Sequence, residues 1–385
     1  MSKYILILSS TRIQKRDLER FGVKFLKTKK KVAILDLSNL LKNRSILIYK
    51  KKKYSDVIEI NSFKELINFI RNKKNSYAFD YIGNSFNEII IKFILIYFKI
   101  KVVKYTGGIK PPILYNHIDI NNKILKKDQR TTFEKAFDIH NVFIRFIKNK
   151  LINFINSYYI NTVIITGQNT QDFKTYIDNA KKKLFSNSFD YNHYIDLLRI
   201  KKRVSKKKYI VYLDQDLFGH PDFFIKKRKP IVDKKFYLDI NKFLFLIKKK
   251  YKCEIKIALH PKSKIKKNFF IKEYDCYLNR TAELVKESKH VIMHYSTAVS
   301  FGVLFKKPIT FLTSDNLNRI RPGAKITYLA YLLKSQLINI DRFKKTVKLK
   351  KNFDKKSYNN FTNQYIKHPK STGENSWKYL LKNIN

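Results

Sequence analysis

Cysteine is scarce in this 385-residue chain, which contains only Cys253 and Cys276. Two cysteines cannot supply the disulfide framework of a small secreted domain, and their spacing is not that of a metal site. We therefore expect both to be small buried side chains of a protein from a reducing compartment.

Long apolar runs are absent as well. The N-terminal run Tyr4–Leu8 ends in polar residues and is too short for a signal peptide. The most apolar later segment, from Ile89 to Ile100, is interrupted by Lys92 and Lys99 and falls short of the roughly 20 residues that a spanning helix needs. The sequence predicts a cytoplasmic protein, and peripheral contact with the inner face of the membrane stays open.

Acidic residues are few: 30 Asp and Glu stand against 82 Lys and Arg, which gives a formal net charge of +52. Clustered positive charge is typical of nucleic-acid-binding proteins. Here the lysines are spread along the chain beside heavy use of Ile, Asn, Phe and Tyr, the joint bias that an AT-rich genome produces through its codons. No RNP, KH, zinc-finger or helix-turn-helix pattern accompanies the charge. We expect no specific nucleic-acid partner, although the field favours anionic partners such as nucleotides, acidic glycans and anionic membranes.

Hydrophobic residues make up 44% of the chain, which argues against disorder and allows two domains with buried cores. In the first half, short apolar strands alternate with longer amphipathic stretches, a pattern typical of βα units on a parallel sheet. The predicted strands there are Tyr4–Leu8, Val32–Asp36, Ser45–Tyr49, Tyr77–Ile82, Lys101–Lys104 and Thr162–Thr166. The predicted helices are Ser62–Arg71, Asn87–Phe98 and Val142–Ile155.

A lysine-rich, aperiodic run at residues 201–208 is the predicted domain boundary. Beyond it the same alternation resumes. The predicted strands are Tyr209–Leu213, Glu254–Leu259, Val291–His294 and Ile309–Leu312. The predicted helices are Phe236–Lys250, Thr281–Ser288 and Ala298–Phe305.

His260 and Pro261 follow the predicted strand Glu254–Leu259, at the carboxyl edge where open α/β sheets bind ligands. Proline fixes the backbone there and leaves the imidazole directed outward. A histidine at such a place can donate to a phosphate oxygen or act as a general acid toward a departing nucleotide. Lys262 and Ser263 add a cation and a hydroxyl. A strand that simply ends at a proline, with an incidental histidine, is the alternative.

Ser296 and Thr297 mark a second corner, between the predicted strand Val291–His294 and the helix that follows. Hydroxyls at a helix N-terminus cap the helix and leave backbone N–H groups for an anion. A simple N-cap would explain them equally well. The order of the motifs makes them informative: His-Pro, a helix bearing Glu283, a strand, Ser-Thr, a small-residue helix and a further strand.

This order resembles the donor-binding domain of GT-B glycosyltransferases, particularly the bacterial sialyltransferase-like, capsule and O-antigen transferases with His-Pro and Ser/Thr motifs. More distantly it is similar to the glycerophosphate polymerases of teichoic acid synthesis. The resemblance covers roughly residues 209–315. It implies a GT-B fold, which is α/β with two Rossmann-like βαβ domains facing across a cleft. We expect an acceptor-side domain at 1–205, a nucleotide-sugar-binding domain at 206–350 and a C-terminal tail helix packing back at 351–385.

The resemblance also implies which residues contact the donor. His260 would contact the donor phosphate and protonate it, and Glu283 would face the ribose or base. Ser296 and Thr297 would bind the phosphate. Together with the residues around these two corners, the expected donor and phosphate contacts are His260, Pro261, Lys262, Ser263, Glu283, His294, Ser296 and Thr297.

An acidic loop from Asp214 to Asp222 follows the first strand of the second domain and is expected to line the cleft. There Asp214 could deprotonate an acceptor hydroxyl, and His220 could serve as base or phosphate contact. Asp216 and Asp222 are candidate acceptor contacts. Asp214-Gln215-Asp216 is formally a metal-binding DxD, but its position ahead of the two corners argues against the GT-A class. We expect no metal and no cofactor, the nucleotide sugar being a substrate; a solvated acidic loop is the alternative.

The first domain offers weaker candidates for acceptor contacts. Gly107 and Gly108 follow the strand Lys101–Lys104, and Gln168 lies in the loop after Thr162–Thr166. Ordinary βα turns would look the same. The acidic motif that supplies the base in sialyltransferase-like families has no assignable counterpart in this domain.

The sequence therefore predicts an enzyme, a glycosyltransferase that moves a sugar from a CMP- or UDP-linked donor to a surface glycan or lipid-linked acceptor, without a metal. Capsule or lipopolysaccharide is the expected product class. A polyol-phosphate transferase of the CDP-glycerol type and a sugar-nucleotide epimerase fit the same two corners. A nucleic-acid-binding protein is the alternative that the charge alone favours.

Overall fold

A computed structural model describes residues 4–50, 53–106, 150–155, 157–170, 173–200, 209–221, 223, 229–263, 269–344 and 346–384. These residues form two compact units. Unit 1 comprises the described residues of 4–106, 150–189 and 368–384, and unit 2 those between 190 and 367. The domain limits predicted near residues 205 and 350 stay predictions.

Unit 1 contains one parallel sheet of seven strands. The strands are β1 (Tyr4–Ser9), β2 (Lys31–Asp36), β3 (Val57–Glu59), β4 (Tyr77–Tyr81), β5 (Lys101–Tyr105), β6 (Ile160–Ile165) and β7 (Lys182–Phe185). Their order across the sheet is β3-β2-β1-β4-β5-β6-β7. The helices between them are α1 (Lys15–Arg20), α2 (Val23–Leu26), α3 (Ser45–Ile48), α4 (Phe63–Arg71), α5 (Phe86–Tyr97) and α6 (Lys174–Asn179). Residues 150–155 are also helical.

Unit 2 contains a second parallel sheet, of six strands. The strands are β8 (Ile210–Leu213), β9 (Ile255–Ala258), β10 (Asp275–Tyr277), β11 (His290–Met293), β12 (Ile309–Thr313) and β13 (Gln336–Asn339). Their order is β10-β9-β8-β11-β12-β13. The helices are α7 (Phe189–Arg199), α8 (Lys234–Tyr251), α9 (Thr281–Glu287), α10 (Val299–Leu304), α11 (Asp315–Asn318), α12 (Arg321–Leu332) and α13 (Lys355–Phe361), with a π-helical turn at Thr362–Ile366.

Burial explains why the central strands of unit 2 are almost wholly apolar. Every residue of β8 and β11 is buried, as expected for parallel strands that are covered on both faces. The long helix α8 begins after Asp233, whose side chain accepts a hydrogen bond from the Phe236 N–H at 3.0 Å. Its buried side chains include Ile240, Phe243 and Ile247.

The C-terminal residues belong to unit 1. Helix α14 (Ser376–Asn383) places Trp377 in the core, with ring contacts to Phe79, Tyr105 and Phe189. Among the described residues, no helix is long and apolar enough to cross a membrane.

The predicted α/β class with two Rossmann-like units is confirmed, and most predicted elements agree with the structure to within two residues at each end. The predicted strand Ser45–Tyr49 is wrong, since Ser45–Ile48 form helix α3 and Tyr49 ends it. The Asn43 side chain accepts from the Ser45 N–H at 2.9 Å, and β3 fills the place beside β2. Most of the predicted helix Val142–Ile155, and the boundary at 201–208, lie outside the described residues.

Candidate active site

The candidate site lies at the carboxyl edge of the second sheet. Strands β8 and β11 are neighbours there, β9 lies beside β8, and β12 lies beside β11. The chain winds outward in opposite directions from the β8–β11 pair, which makes this pair a topological switch point. Open α/β sheets bind ligands outside the carboxyl ends of their strands at such points. The structure therefore brings the predicted Asp214, His260 and Ser296 corners to one edge.

Asp214 is buried directly after β8. Its N–H donates to the carbonyl of Ala258 at 2.9 Å, and its Oδ1 accepts from the Tyr237 hydroxyl at 3.1 Å. The same hydroxyl accepts from the Leu217 N–H at 3.1 Å. Tyr237 comes from α8 and was not identified in the sequence, where it looks like an ordinary member of the apolar face.

Burial raises the pKa of Asp214 from 3.8 to about 7, and the neighbouring carboxylate of Asp216 adds to the increase. Hydrogen bonds from backbone N–H groups and from Tyr237 oppose it without cancelling it. A carboxyl with a pKa near neutrality can exchange a proton with a substrate at physiological pH, which is the property of a general base.

Replacing Asp214 with asparagine should change how stability depends on pH. The pKa of Asp214 is near 3.8 in the unfolded chain and about 7 in the folded protein. The protonated carboxyl therefore contributes to the free energy of unfolding in full below about pH 4, and this contribution is lost as pH rises through 7. At about 1.4 kcal/mol per pKa unit, the loss is up to about 4 kcal/mol. Asparagine does not ionise, so Asp214→Asn should not suffer this loss. The difference in free energy of unfolding between the variant and the original protein should therefore shift in favour of the variant by this amount as pH rises from about 4 to about 8.

Denaturant unfolding of both proteins at the two pH values measures the effect. His290 and His294, whose pKa values burial lowers to about 4, change stability over the same range, but equally in both proteins. The difference therefore isolates Asp214. Parallel pH curves for the two proteins would contradict the assignment.

Removing the Tyr237 hydroxyl should raise the pKa of Asp214 further. That hydroxyl donates to the carboxylate and favours its charged form. Tyr237→Phe also leaves the Leu217 N–H without its acceptor, at a cost of about 1–3 kcal/mol. Carboxyl-carbon NMR titration should show the Asp214 midpoint moving to higher pH, and an unchanged or lower midpoint would argue against this contact.

Asp216 joins the β8 and β9 corners. Its Oδ1 accepts from the Gly219 N–H at 2.8 Å, and its Oδ2 accepts from the Ser263 hydroxyl at 2.8 Å. Its backbone has a positive φ of 51°, a conformation that Asp tolerates better than most residues. Asp216 and Ser263 therefore hold the two corners in register. The single hydroxyl hydrogen of Ser263 is used in this bond, so it cannot also donate to a phosphate oxygen. The acceptor contact of Asp216 stays a prediction. Among the described residues, no three His, Cys, Asp or Glu side chains are grouped to hold a metal ion, and metal independence stays a prediction.

The His220 and His260 rings lie in contact at the same place, with centroids 4.4 Å apart and planes inclined at 58°. The backbone N–H of Lys262 donates to His260 Nδ1 at 3.2 Å. Because an accepting Nδ1 carries no hydrogen, the ring hydrogen lies on Nε2. His260 therefore acts as an N–H donor through Nε2, the atom type that a phosphate oxygen needs. Pro261, which follows, is exposed.

His294 has a structural position. Its ring is buried, Nδ1 donates to the Leu312 carbonyl at 2.7 Å, and Nε2 accepts from the Tyr212 hydroxyl at 2.7 Å. Both nitrogens are thus used inside the core, and burial lowers the pKa of the ring to about 4. The donor contact predicted for His294 is therefore corrected: the ring fixes the end of β11 against β8 and β12.

The second predicted corner has the expected hydroxyls. Ser296 Oγ accepts from the Ala298 N–H at 3.2 Å, and Thr297 is exposed, with its carbonyl bonded to Ser300 Oγ at 3.0 Å. A hydroxyl that accepts a hydrogen bond still has its own hydrogen to donate. Ser296 and Thr297 can thus offer two O–H donors to an anion.

Glu283 lies in the first turn of α9. Its Oε2 is buried and accepts no hydrogen bond from any described residue. A buried carboxylate oxygen without a donor is costly, and a ribose hydroxyl would supply one. The ribose or base contact that the sequence resemblance implies for Glu283 stays a prediction.

One further residue beside this edge was not identified in the sequence. The ammonium of Lys325, from α12, lies 4.9 Å from the centre of the Tyr295 ring, next to Ser296 in the chain. It brings a cation to the corner after β11. No motif surrounds Lys325 in the sequence, so the sequence could not identify it as a site residue.

The remaining predicted residues lie elsewhere. Gly107, Gly108 and Asp222 fall outside the described residues. Gln168 is exposed in unit 1, just after the end of β6.

No family model and no curated protein matches the chain. Solved structures that it resembles include UDP-GlcNAc 2-epimerase of Methanocaldococcus jannaschii in complex with UDP-GlcNAc and UDP, with 15% identity over 99% of each chain and a TM-score of 0.44. MurG of Acinetobacter baumannii is 10% identical over 99% of each chain, with a TM-score of 0.46. The wall teichoic acid polymerase TagF is 15% identical over 100% of this chain and 89% of its own, with a TM-score of 0.47. At these values the likeness supports no conclusion about activity.

Proposed function

We propose that this protein is a GT-B glycosyltransferase that uses a CMP- or UDP-linked sugar and needs no metal ion. The observation that carries the proposal is the arrangement at the switch point of the second sheet. There an imidazole N–H donor, His260, and a buried carboxyl with a pKa of about 7, Asp214, lie on adjacent corners that Asp216 and Ser263 join.

In the proposed reaction, the bond between the sugar carbon and the donor phosphate breaks while a bond to the acceptor oxygen forms. His260 Nε2–H donates to a phosphate oxygen and stabilises the negative charge that develops on the departing nucleotide. The hydroxyls of Ser296 and Thr297 and the cation of Lys262 support the same charge. The carboxylate of Asp214 accepts the proton of the acceptor hydroxyl, and the Tyr237 bond holds it in place.

The acceptor is proposed to be a surface glycan or a lipid-linked sugar. The sialyltransferase-like order of motifs supports capsule or lipopolysaccharide as the product class, and it supports a cytoplasmic enzyme at the inner face of the membrane. In this proposal unit 1 supplies acceptor contacts, with Gln168 the candidate among its described residues.

A donor panel with chelator tests the proposal. CMP- and UDP-sugars are incubated with the protein, a lipid-linked acceptor and EDTA, and nucleotide release is measured. One donor class should be consumed only when acceptor is present, and EDTA should have no effect. Activity that is lost with EDTA and returns with a divalent cation would refute metal independence.

The same assay separates the other chemistries. Interconversion of a sugar nucleotide without acceptor would identify an epimerase, and consumption of CDP-glycerol would identify a polyol-phosphate transferase. Either result, or a failure to bind any nucleotide, would overturn the transferase proposal.

A further inference from the structure

The outward side of helix α8 carries apolar residues within a row of lysines. Leu238 and Phe245 are 59% and 48% exposed, although their neighbours on the inner side are buried. At helical spacing they fall on one stripe with lysines before, between and after them. We call this set, together with Lys252 just past the C-terminal end of the helix, the α8 stripe. Its members are Lys234, Leu238, Lys242, Phe245, Lys249 and Lys252.

The positive charge of the α8 stripe is only partly neutralised. Asp239 pairs with Lys242 at 3.2 Å and with Lys235 at 2.9 Å. No described carboxylate pairs with Lys234, Lys249 or Lys252. The stripe therefore presents at least three uncompensated ammonium groups beside two exposed apolar side chains.

A neighbouring segment extends the same kind of surface. The Ile271 N–H donates to Asn241 on α8 at 3.3 Å, and the Ile271 side chain is 41% exposed, followed by exposed Lys272. At the C-terminal end of α8 a groove of about 610 Å³ opens. It is lined by Phe245, Lys248, Lys249, Lys252, Cys253, Glu254 and Glu273.

We propose that the α8 stripe docks unit 2 on an anionic phospholipid surface. Lysines beside such a surface are attracted by its negative potential, and Leu and Phe at the same level insert into the boundary between headgroups and acyl chains. A nucleic-acid backbone would attract the lysines but would leave Leu238 and Phe245 in water. The mixture of the two side-chain types therefore favours a membrane.

This docking does not depend on the proposed transferase activity. It does have a consequence for that activity, because Tyr237, which holds Asp214, precedes Leu238 on the same helix. One helix would thus face the lipid surface on one side and support the candidate base on the other.

Vesicle co-sedimentation tests the electrostatic part of the proposal. The full chain should bind vesicles of phosphatidylcholine mixed with phosphatidylglycerol, and K234E/K249E should lower that partitioning by roughly tenfold or more. The matched control is K355E/K356E on α13, which changes the net charge equally at two exposed positions. Equal losses in the two variants would overturn the proposal, since they would show a response to net charge alone.

Fluorescence tests the insertion of the apolar residues. The natural Trp377 is buried, at 2% exposure, so an added tryptophan on the surface is a separate reporter. Phe245→Trp should give a blue-shifted emission with the anionic vesicles and none with pure phosphatidylcholine. Tyr331→Trp, at a position that is 63% exposed on α12, is the control and should not shift.

Two outcomes would overturn the proposal directly. One is an unshifted Phe245→Trp emission in a protein that pellets with the vesicles. The other is a K234E/K249E variant that loses binding to duplex RNA but keeps vesicle binding, which would identify a nucleic-acid surface. Transfer to a soluble acceptor should be unchanged in K234E/K249E, so failure of the docking and failure of the transferase proposal give different results.

Discussion

Replacement of His260 with alanine is expected to lower the rate of sugar transfer by roughly 10²- to 10⁴-fold while the protein stays folded. The backbone N–H of Lys262 donates to His260 Nδ1 and so fixes the tautomer of the imidazole. Nε2 therefore carries the hydrogen and can donate it to a phosphate oxygen. Alanine removes the donor at the point where charge develops on the departing phosphate. The measurement is kcat/KM for donor consumption in the presence of acceptor.

The control for this variant is His193→Ala. His193 is an exposed histidine of the same unit, on α7, whose ring contacts Phe301. It should keep near-normal turnover, and both variants should unfold as cooperatively as the original protein. Near-normal turnover in His260→Ala would remove this histidine from the mechanism.

Replacement of Asp214 with asparagine is expected to lower kcat/KM by a comparable factor. It should also abolish the increase of kcat/KM with pH that the original protein shows. In the original protein, the rate should increase with pH through a midpoint near 7, because only the carboxylate form accepts the acceptor proton and burial raises the pKa of Asp214 to about 7. The asparagine oxygen can still accept from the Tyr237 hydroxyl, so the corner should keep its shape.

Asp275→Asn serves as the matched control, since Asp275 is an exposed carboxylate on β10 of the same sheet. It should leave both the rate and the midpoint unchanged. An Asp214→Asn variant with the original pH profile would assign the base to another residue. The rate and the pH-dependent stability of Asp214→Asn are separate readouts. If Asp214 had only a structural role, the variant would change how stability depends on pH but would keep the original dependence of kcat/KM on pH.

The central strands and the two corners could be predicted from sequence because their signals are local. Apolar runs such as Ile210–Leu213 are typical of buried parallel strands, and His260 and Ser296 follow such runs directly. The segment Ser45–Tyr49 also contains an apolar run, yet Ser45–Ile48 form a helix, at whose start the Ser45 N–H donates to the Asn43 side chain.

The predictions that failed or were missed depend on residues far apart in the chain. His294 looks like a ligand contact in sequence, yet its two nitrogens are used by Tyr212 and Leu312 from the flanking strands β8 and β12. Tyr237 and Asp214 meet only because α8 packs back over β8. Such partners are determined by the topology of the sheet, which a single sequence does not specify.

The central claim is that the switch-point corner of unit 2 binds the phosphate of a nucleotide-activated sugar. Crystals soaked in a panel of cytidine and uridine nucleotides with EDTA test it most directly. We predict that one nucleotide will bind with a phosphate oxygen within hydrogen-bond distance of His260 Nε2 and beside the Ser296 and Thr297 hydroxyls, with its ribose near Glu283. A nucleotide bound elsewhere on the chain, with this corner empty, would contradict the claim.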